Sequence, residues 1–274
     1  MGTVARACVV GCARKRNSEY QMAGSTNNVA VETADGTQAM VQVIPKIIHQ
    51  TWKTGTLPLR WKHTIASVKR WHPDWEYRLW DDNTINAYVQ KHHPDLYPIF
   101  SRFSRNIMRA DVMRYILMHD IGGMYCDLDY EFIRPYDYKG SELVLGYEFD
   151  RAYGDPVDQI ANFVFASAPG HPFWKDVLND LQHNPPQAFS YLDVCGLTGP
   201  GLLSRIYREN HQHYGHVTLE PRRVFHPFRM RGKNERQILL NNGTTIGVHH
   251  ASGSWKERLT LVYLKEKLRK LWIN

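Results

Sequence analysis

The alternation of apolar and polar positions lays out most of this chain. Ile44-Pro-Lys-Ile-Ile-His-Gln-Thr-Trp52 is an apolar run closed by polar residues, and reads as a buried first strand. Residues 58–70 carry a helical pattern. Trp75-Glu-Tyr-Arg-Leu-Trp80 alternates with period two, which predicts a second strand, and Asp81 and Asp82 then supply a cap for a helix over 82–92. The strongest helical pattern covers 105–120, where Ile107, Ala110, Arg114 and Leu117 share a face and Gly122-Gly123 terminate it. Met124–Tyr130 reads as the next strand. Further strands are expected at 142–147, 161–166, 217–219 and 245–249, and helices near 172–182, 200–210 and 256–270. Strands alternating with helices predict an α/β domain, its central sheet mostly parallel and flanked by helices. Residues 1–43 are rich in Ala, Gly, Ser, Thr and Asn without sustained periodicity. They are expected to form a disordered leader, with one folded domain over 44–274.

Composition narrows the class. At 274 residues and 43% hydrophobic content, the chain suffices for one sizeable core. The formal charge of +7 is uneven: residues 101–200 carry −6 and residues 201–274 carry +9. An acidic middle suits a cation, and a basic last quarter suits phosphates or an anionic surface. In the segment 256–270, Lys256, Arg258, Lys265, Lys267, Arg269 and Lys270 alternate with apolar residues. This is the pattern of a basic helix in peripheral contact with an anionic membrane, or of a surface helix packed on the domain. No zinc finger, aromatic RNA motif or helix-turn-helix pattern supports a nucleic-acid binder. The four cysteines form no CxxC pair and fit a reducing compartment. No apolar run approaches the ~20 residues of a membrane span, and Ala7–Ala13 is too short for a signal-peptide core. The expectation is a cytoplasmic protein.

The candidate chemistry lies in Asp111-Val-Met-Arg114-Tyr115 and Tyr125-Cys-Asp127-Leu-Asp129. Carboxylates at i and i+2 of a strand point to one face, and such a pair suits a hard divalent cation that in turn suits a diphosphate. Glu131 continues the alternation, and three carboxylates on one face call for a cation between them. Asp111 and Arg114 are neighbours on one helical face. An Arg amid Ala110, Met113, Ile116 and Leu117 needs a carboxylate, a diphosphate or a hydroxyl network as partner.

Ile44–Trp52, Ala110-Asp-Val-Met-Arg-Tyr115, Ile121-Gly-Gly-Met-Tyr-Cys-Asp-Leu-Asp129 and His249-His-Ala-Ser-Gly-Ser-Trp255 together resemble glycosyltransferase family 32. The spacing from Arg114 to Asp127 is also similar to the clostridial glucosylating toxins. The resemblance covers roughly residues 44–256. It implies a GT-A-type nucleotide-sugar-binding fold and a Mn²⁺ or Mg²⁺ ion. It also implies a UDP- or GDP-sugar donor, a glycan or glycolipid acceptor, and retention at the anomeric carbon. By the same resemblance Trp52 stacks on the nucleobase, Asp111 and Arg114 hold sugar hydroxyls and phosphates, Tyr125 lines the donor pocket and Asn162 binds the transferred sugar. Asp127 touches ribose and a metal-bound water, Asp129 ligates the metal, and His250, rather than His249, completes the metal shell. Ser254 and Trp255 close over the diphosphate. Two alternatives stand beside this reading. An aspartyl-nucleophile phosphatase also uses Asp-x-Asp, but places it on the first strand and follows it with Thr or Val, whereas Tyr130 follows here. The other is a sugar-binding pseudoenzyme, against which the intact Asp pair argues.

Overall fold

The structure is a computed structural model that describes residues 28–32, 38–42, 44–138, 140–188, 190–227 and 233–253. In chain order the strands are β1 (Asn28–Glu32), β2 (Gln38–Gln42), β3 (Ile47–Thr51), β4 (Glu76–Trp80), β5 (Gly123–Cys126), β6 (Tyr130–Phe132), β7 (Leu143–Phe149), β8 (Gln159–Ile160), β9 (Val164–Ser167), β10 (Val217–Glu220) and β11 (Gly247–His249). The helices are α1 (Lys62–Trp71), α2 (Asp82–His92), α3 (Tyr97–Ser101), α4 (Asn106–Asp120), α5 (Pro172–His183), α6 (Tyr191–Leu197), α7 (Pro200–Asn210), α8 (Arg222–Phe225) and α9 (Lys233–Asn241). The expected helix over 256–270 lies outside the described residues.

The central sheet runs β10-β7-β9-β5-β3-β4, with β8 beside β7. Five of its strands share one direction. β9 is antiparallel to both β5 and β7, and β8 is antiparallel to β7. The sheet is thus mostly parallel, as the strand–helix alternation predicts, but one reversed strand sits at its centre. Both faces are covered. Along β5, Tyr125 joins the apolar cluster on one side, while Met124 and Cys126 join the cluster on the other; along β7, Leu143 and Leu145 go one way and Val144 the other. Period-two side-chain direction with both faces buried explains why these strands read as continuous apolar runs.

Three expectations are corrected. Asn28–Glu32 and Gln38–Gln42, placed within the disordered leader, pair as two antiparallel strands with Asn28 opposite Gln42 and Glu32 opposite Gln38. Asn-Val-Ala-Val-Glu and Gln-Ala-Met-Val-Gln each set three apolar residues between polar ends, and these match across the pair. Next, Met124–Tyr130 is not one strand. β5 stops at Cys126, residues 127–129 turn, and β6 starts at Tyr130 and pairs with β11 in a separate ribbon. Last, α4 has no single apolar face: every residue from Asp111 to Met118 is buried. It packs between the sheet and α5, so Asp111 and Arg114 are sequestered along with their apolar neighbours.

Candidate active site

The site is assembled where β5 ends. Gly122 (φ +69°) closes α4 by donating its N–H to Leu117 O (3.0 Å), and Gly123 (φ +97°) opens β5 against β3. A Cβ at Gly122 would lie 2.7 Å from Ser167 O, and one at Gly123 would collide with Ile47 O, so both positions require glycine. The turn after β5 is held by its backbone. Asp127 N–H donates to Phe163 O (2.8 Å), Tyr130 N–H to Asp127 O (3.0 Å) and His250 N–H to Asp129 O (3.0 Å), while Gln50 Nε2 reaches Asp127 O (3.2 Å). Thr64 of α1 donates to Leu128 O, which docks that helix on the turn.

Asp127 keeps a quarter of its side chain exposed (26%), while Asp111 and Arg114 are each only 3% exposed. Arg114 bridges the two carboxylates: Nη2 lies 3.0 Å from Asp111 Oδ1, and Nη1 lies 3.1 Å from Asp127 Oδ1 and also donates to Asn162 O. Its guanidinium stacks 4.6 Å over the Tyr125 ring, and Tyr125 OH donates to Asp127 Oδ1 (2.8 Å). Asp111 also accepts from Asn162 Nδ2 (3.1 Å) and Thr198 Oγ1 (3.1 Å). Burial raises the Asp111 carboxyl pKa to about 7 despite Arg114 beside it, and burial also raises that of Asp127. A buried pair of this kind is worth most as a framework, because removing one partner strands the other.

Asp129 behaves oppositely. Burial would raise its pKa, but it is outweighed by the His249 imidazole (Nε2 3.2 Å from Oδ1) and by the Ser252 N–H (2.8 Å to Oδ2). Asp129 is therefore held well below the usual carboxylate range. The His249 imidazole is pulled down by burial and pushed up more strongly by Asp129 and Asp127, so its pKa is raised. His249 Nε2 is also 3.8 Å from Asp127 Oδ2, and its ring is stacked on Phe163 with centroids 4.2 Å apart. Ligand atoms of Asp127, Asp129 and His249 all lie within 4.8 Å of one another. Two carboxylates and an imidazole, with the most acidic carboxylate at the centre, fit a divalent cation of the Mn²⁺ or Mg²⁺ type.

Of the residues singled out in the sequence, the structure brings together Asp111, Arg114, Tyr125, Asp127, Asp129 and Asn162. Trp52 stands at the C-terminal end of β3 with the Arg60 guanidinium 5.6 Å over its ring. Ser254 and Trp255 lie outside the described residues. Three assignments change. His249, not His250, joins the Asp pair. Its ring lies on the Asp127–Asp129 side of the chain, whereas the His250 ring goes to Glu131, Nε2 to Oε2 3.0 Å. Glu131 accordingly leaves the carboxylate row, because the turn at 127–129 breaks the strand that would have aligned it. Tyr125 is fully buried and props Asp127 from below rather than lining an open pocket. Sequence reading missed Ser252 and Gln50, both held through the backbone of the turn or of the segment after β11. It also gave no role to Thr198, although the Thr-Gly-Pro that opens α7 was visible.

Residues 58–146 match the family described as the glycosyltransferase sugar-binding region containing the DXD motif. The chain is 36% identical over 168 residues to inositol phosphoceramide mannosyltransferase 2 of Schizosaccharomyces pombe, covering 61% of this chain and 47% of that one. It is 38% identical over 168 residues to inositol phosphoceramide mannosyltransferase 3 of the same organism, covering 60% and 45%. The chain therefore spans about half the length of these relatives. Among solved structures, the PaToxG glycosyltransferase superposes with a TM-score of 0.47 at 17% identity, covering 61% of this chain and 70% of that one. Within the matched residues 58–146, Asp127-Leu128-Asp129 has the Asp-x-Asp pattern that the family's description names.

Proposed function

We propose that this protein is a metal-dependent, retaining glycosyltransferase of GT-A type that moves a hexosyl group, mannose first among the candidates, from a nucleotide-diphosphate sugar to a glycolipid bearing an inositol phosphate headgroup. The observation that carries the reading is the convergence of Asp127, Asp129 and His249 at the C-terminal end of β5, where α/β folds place their ligand sites. The glycolipid comes from the names of the similar mannosyltransferases.

Asp129 and His249, with Asp127, would hold the cation, which when bound neutralises the charge that builds on the departing diphosphate. Arg114 is a positioning residue. It fixes Asp127 against Asp111, so that this partly exposed carboxylate keeps one orientation. Trp52 offers an aromatic face for a base at the end of β3. The carboxylates of the site are already committed, Asp111 and Asp127 to Arg114 and Asp129 to His249 and Ser252. This favours front-face attack by the acceptor hydroxyl over a glycosyl–enzyme intermediate. The test is nucleotide release from a panel of UDP- and GDP-hexoses by the full chain with Mn²⁺, with and without inositol phosphoceramide. One donor should be hydrolysed, the acceptor should raise the rate, and Asp129→Asn should abolish both. Turnover of no donor, or an Asp129→Asn variant still active in EDTA-treated buffer, would refute the proposal.

A further inference from the structure

His63, Glu131 and His250 form a second cluster of ligating side chains, distinct from the first. Their ligand atoms all lie within 4.8 Å of one another, with His250 Nε2 3.0 Å from Glu131 Oε2 and the His63 and His250 rings 5.7 Å apart, edge to face. Three separate elements deliver them: the first turn of α1, the ribbon strand β6 and the chain leaving β11. The backbone fixes this arrangement. Thr64 Oγ1 donates to Leu128 O and Phe132 N–H donates to Ser67 Oγ (3.0 Å), laying α1 along β6. Val248 pairs opposite Glu131, and consecutive residues point opposite ways, so His249 turns to Asp129 and His250 to Glu131. Ala251 then takes a left-handed conformation (φ +47°), uncommon for a residue with a Cβ, and Ser252 N–H returns to Asp129. Two adjacent histidines thereby serve two carboxylates two residues apart.

We propose that His63, Glu131 and His250 bind a second divalent cation, of zinc type, at the outer end of the ribbon beside the donor site. The donor sets differ in kind. Two carboxylates and one imidazole suit a hard ion, whereas two imidazoles and one carboxylate select zinc or cobalt. Tetrahedral zinc with bonds of about 2.0–2.1 Å places its ligand atoms roughly 3.4 Å apart, which small rotations of the two exposed imidazoles achieve around the buried Glu131. The fourth position opens to water. A cation there would pin residue 250 to α1, and so tether the segment that carries both His249 and Ser252.

The test uses the full chain, stripped with a chelator and titrated with Co²⁺ in excess Mg²⁺, the visible cobalt spectrum being read before and after stoichiometric Zn²⁺. The wild type should show a tetrahedral cobalt band that zinc displaces. Asp129→Asn should keep that band, because its lesion lies in the other site. His63→Ala, a change at an exposed helical position, should weaken zinc binding at least tenfold and remove the rise in melting temperature that zinc gives the wild type. Glu131→Gln should do the same; if that variant does not fold, His63→Ala decides alone. Equal zinc affinity in the wild type and His63→Ala would overturn the proposal, as would loss of the band in Asp129→Asn.

Discussion

At the level of single residues, the two histidines at 249 and 250 show what a sequence conveys and what it leaves out. The His-His doublet marks the place, but which ring meets the Asp pair depends on the β6–β11 register, and no local pattern encodes that register. His249→Ala should raise the Mn²⁺ concentration needed for donor hydrolysis roughly ten- to hundredfold, whereas His250→Ala, which removes only a tether on that segment, should raise it far less. A metal titration of the initial rate distinguishes them, and equal shifts would return His250 to the site. His49 illustrates a different omission: nothing in the sequence announces a buried neutral imidazole. Its Nδ1 accepts from Trp80 Nε1 (3.1 Å), so Nε2 carries the proton toward Gly122 O (2.9 Å), and burial lowers the pKa to about 3. Between about 6.5 and 3 the unfolded chain binds a proton at this residue that the fold does not, so stability falls as the pH drops through that window. Relative to His49→Gln, the wild type should lose roughly 2 kcal/mol of advantage between pH 6.5 and pH 5 in urea unfolding. A difference independent of pH would show that the imidazole stays accessible to protons.

At the level of elements, the pattern located nearly all of the sheet and the long helices: β4, α2, α4, α5, α7 and β10 fall within one or two residues of their expected spans. The capping reading held in detail, since Asp81 accepts from Thr84 N–H (2.8 Å) and Thr84 Oγ1 accepts from Asp81 N–H (2.8 Å). The misses were short or interrupted elements. The β1 and β2 strands have only five residues each, and their short apolar centres were outweighed by the polar composition around them. The break after Cys126 was invisible because Asp127 and Asp129 keep the period-two pattern through a turn. Gly123 is the hinge of this arrangement. Gly123→Ala would set a Cβ against Ile47 O at a φ of +97°, costing about 2–4 kcal/mol and loosening β5 from β3. Urea midpoints of the two proteins measure this. A cost under about 0.5 kcal/mol, the level of an ordinary surface change, would mean that the strand pair adjusts freely.

At the level of the whole molecule, the dominant feature is the charge gradient. The acidic stretch 101–200 supplies Asp127 and Asp129 of the candidate cation site, and the basic residues gather in 201–274. Among the described residues no helix is long and apolar enough to cross a membrane. A basic last quarter is suited to meeting a lipid acceptor at a bilayer surface, because each Lys or Arg near an anionic surface contributes about 1 kcal/mol and the attraction decays within a Debye length. The full chain should therefore sediment with vesicles containing anionic lipid at low salt, and be released as salt rises. Reversing the charges of Lys265, Lys267, Arg269 and Lys270, which lie outside the described residues, should weaken vesicle binding more than tenfold. Hydrolysis of the soluble donor should be unaffected, because the Asp127–Asp129–His249 site is built from other parts of the chain. A wild type that ignores anionic vesicles at low salt would break the link between the gradient and the acceptor. The basic segment would then be a solvated surface, and the acceptor would have to be sought among soluble glycans.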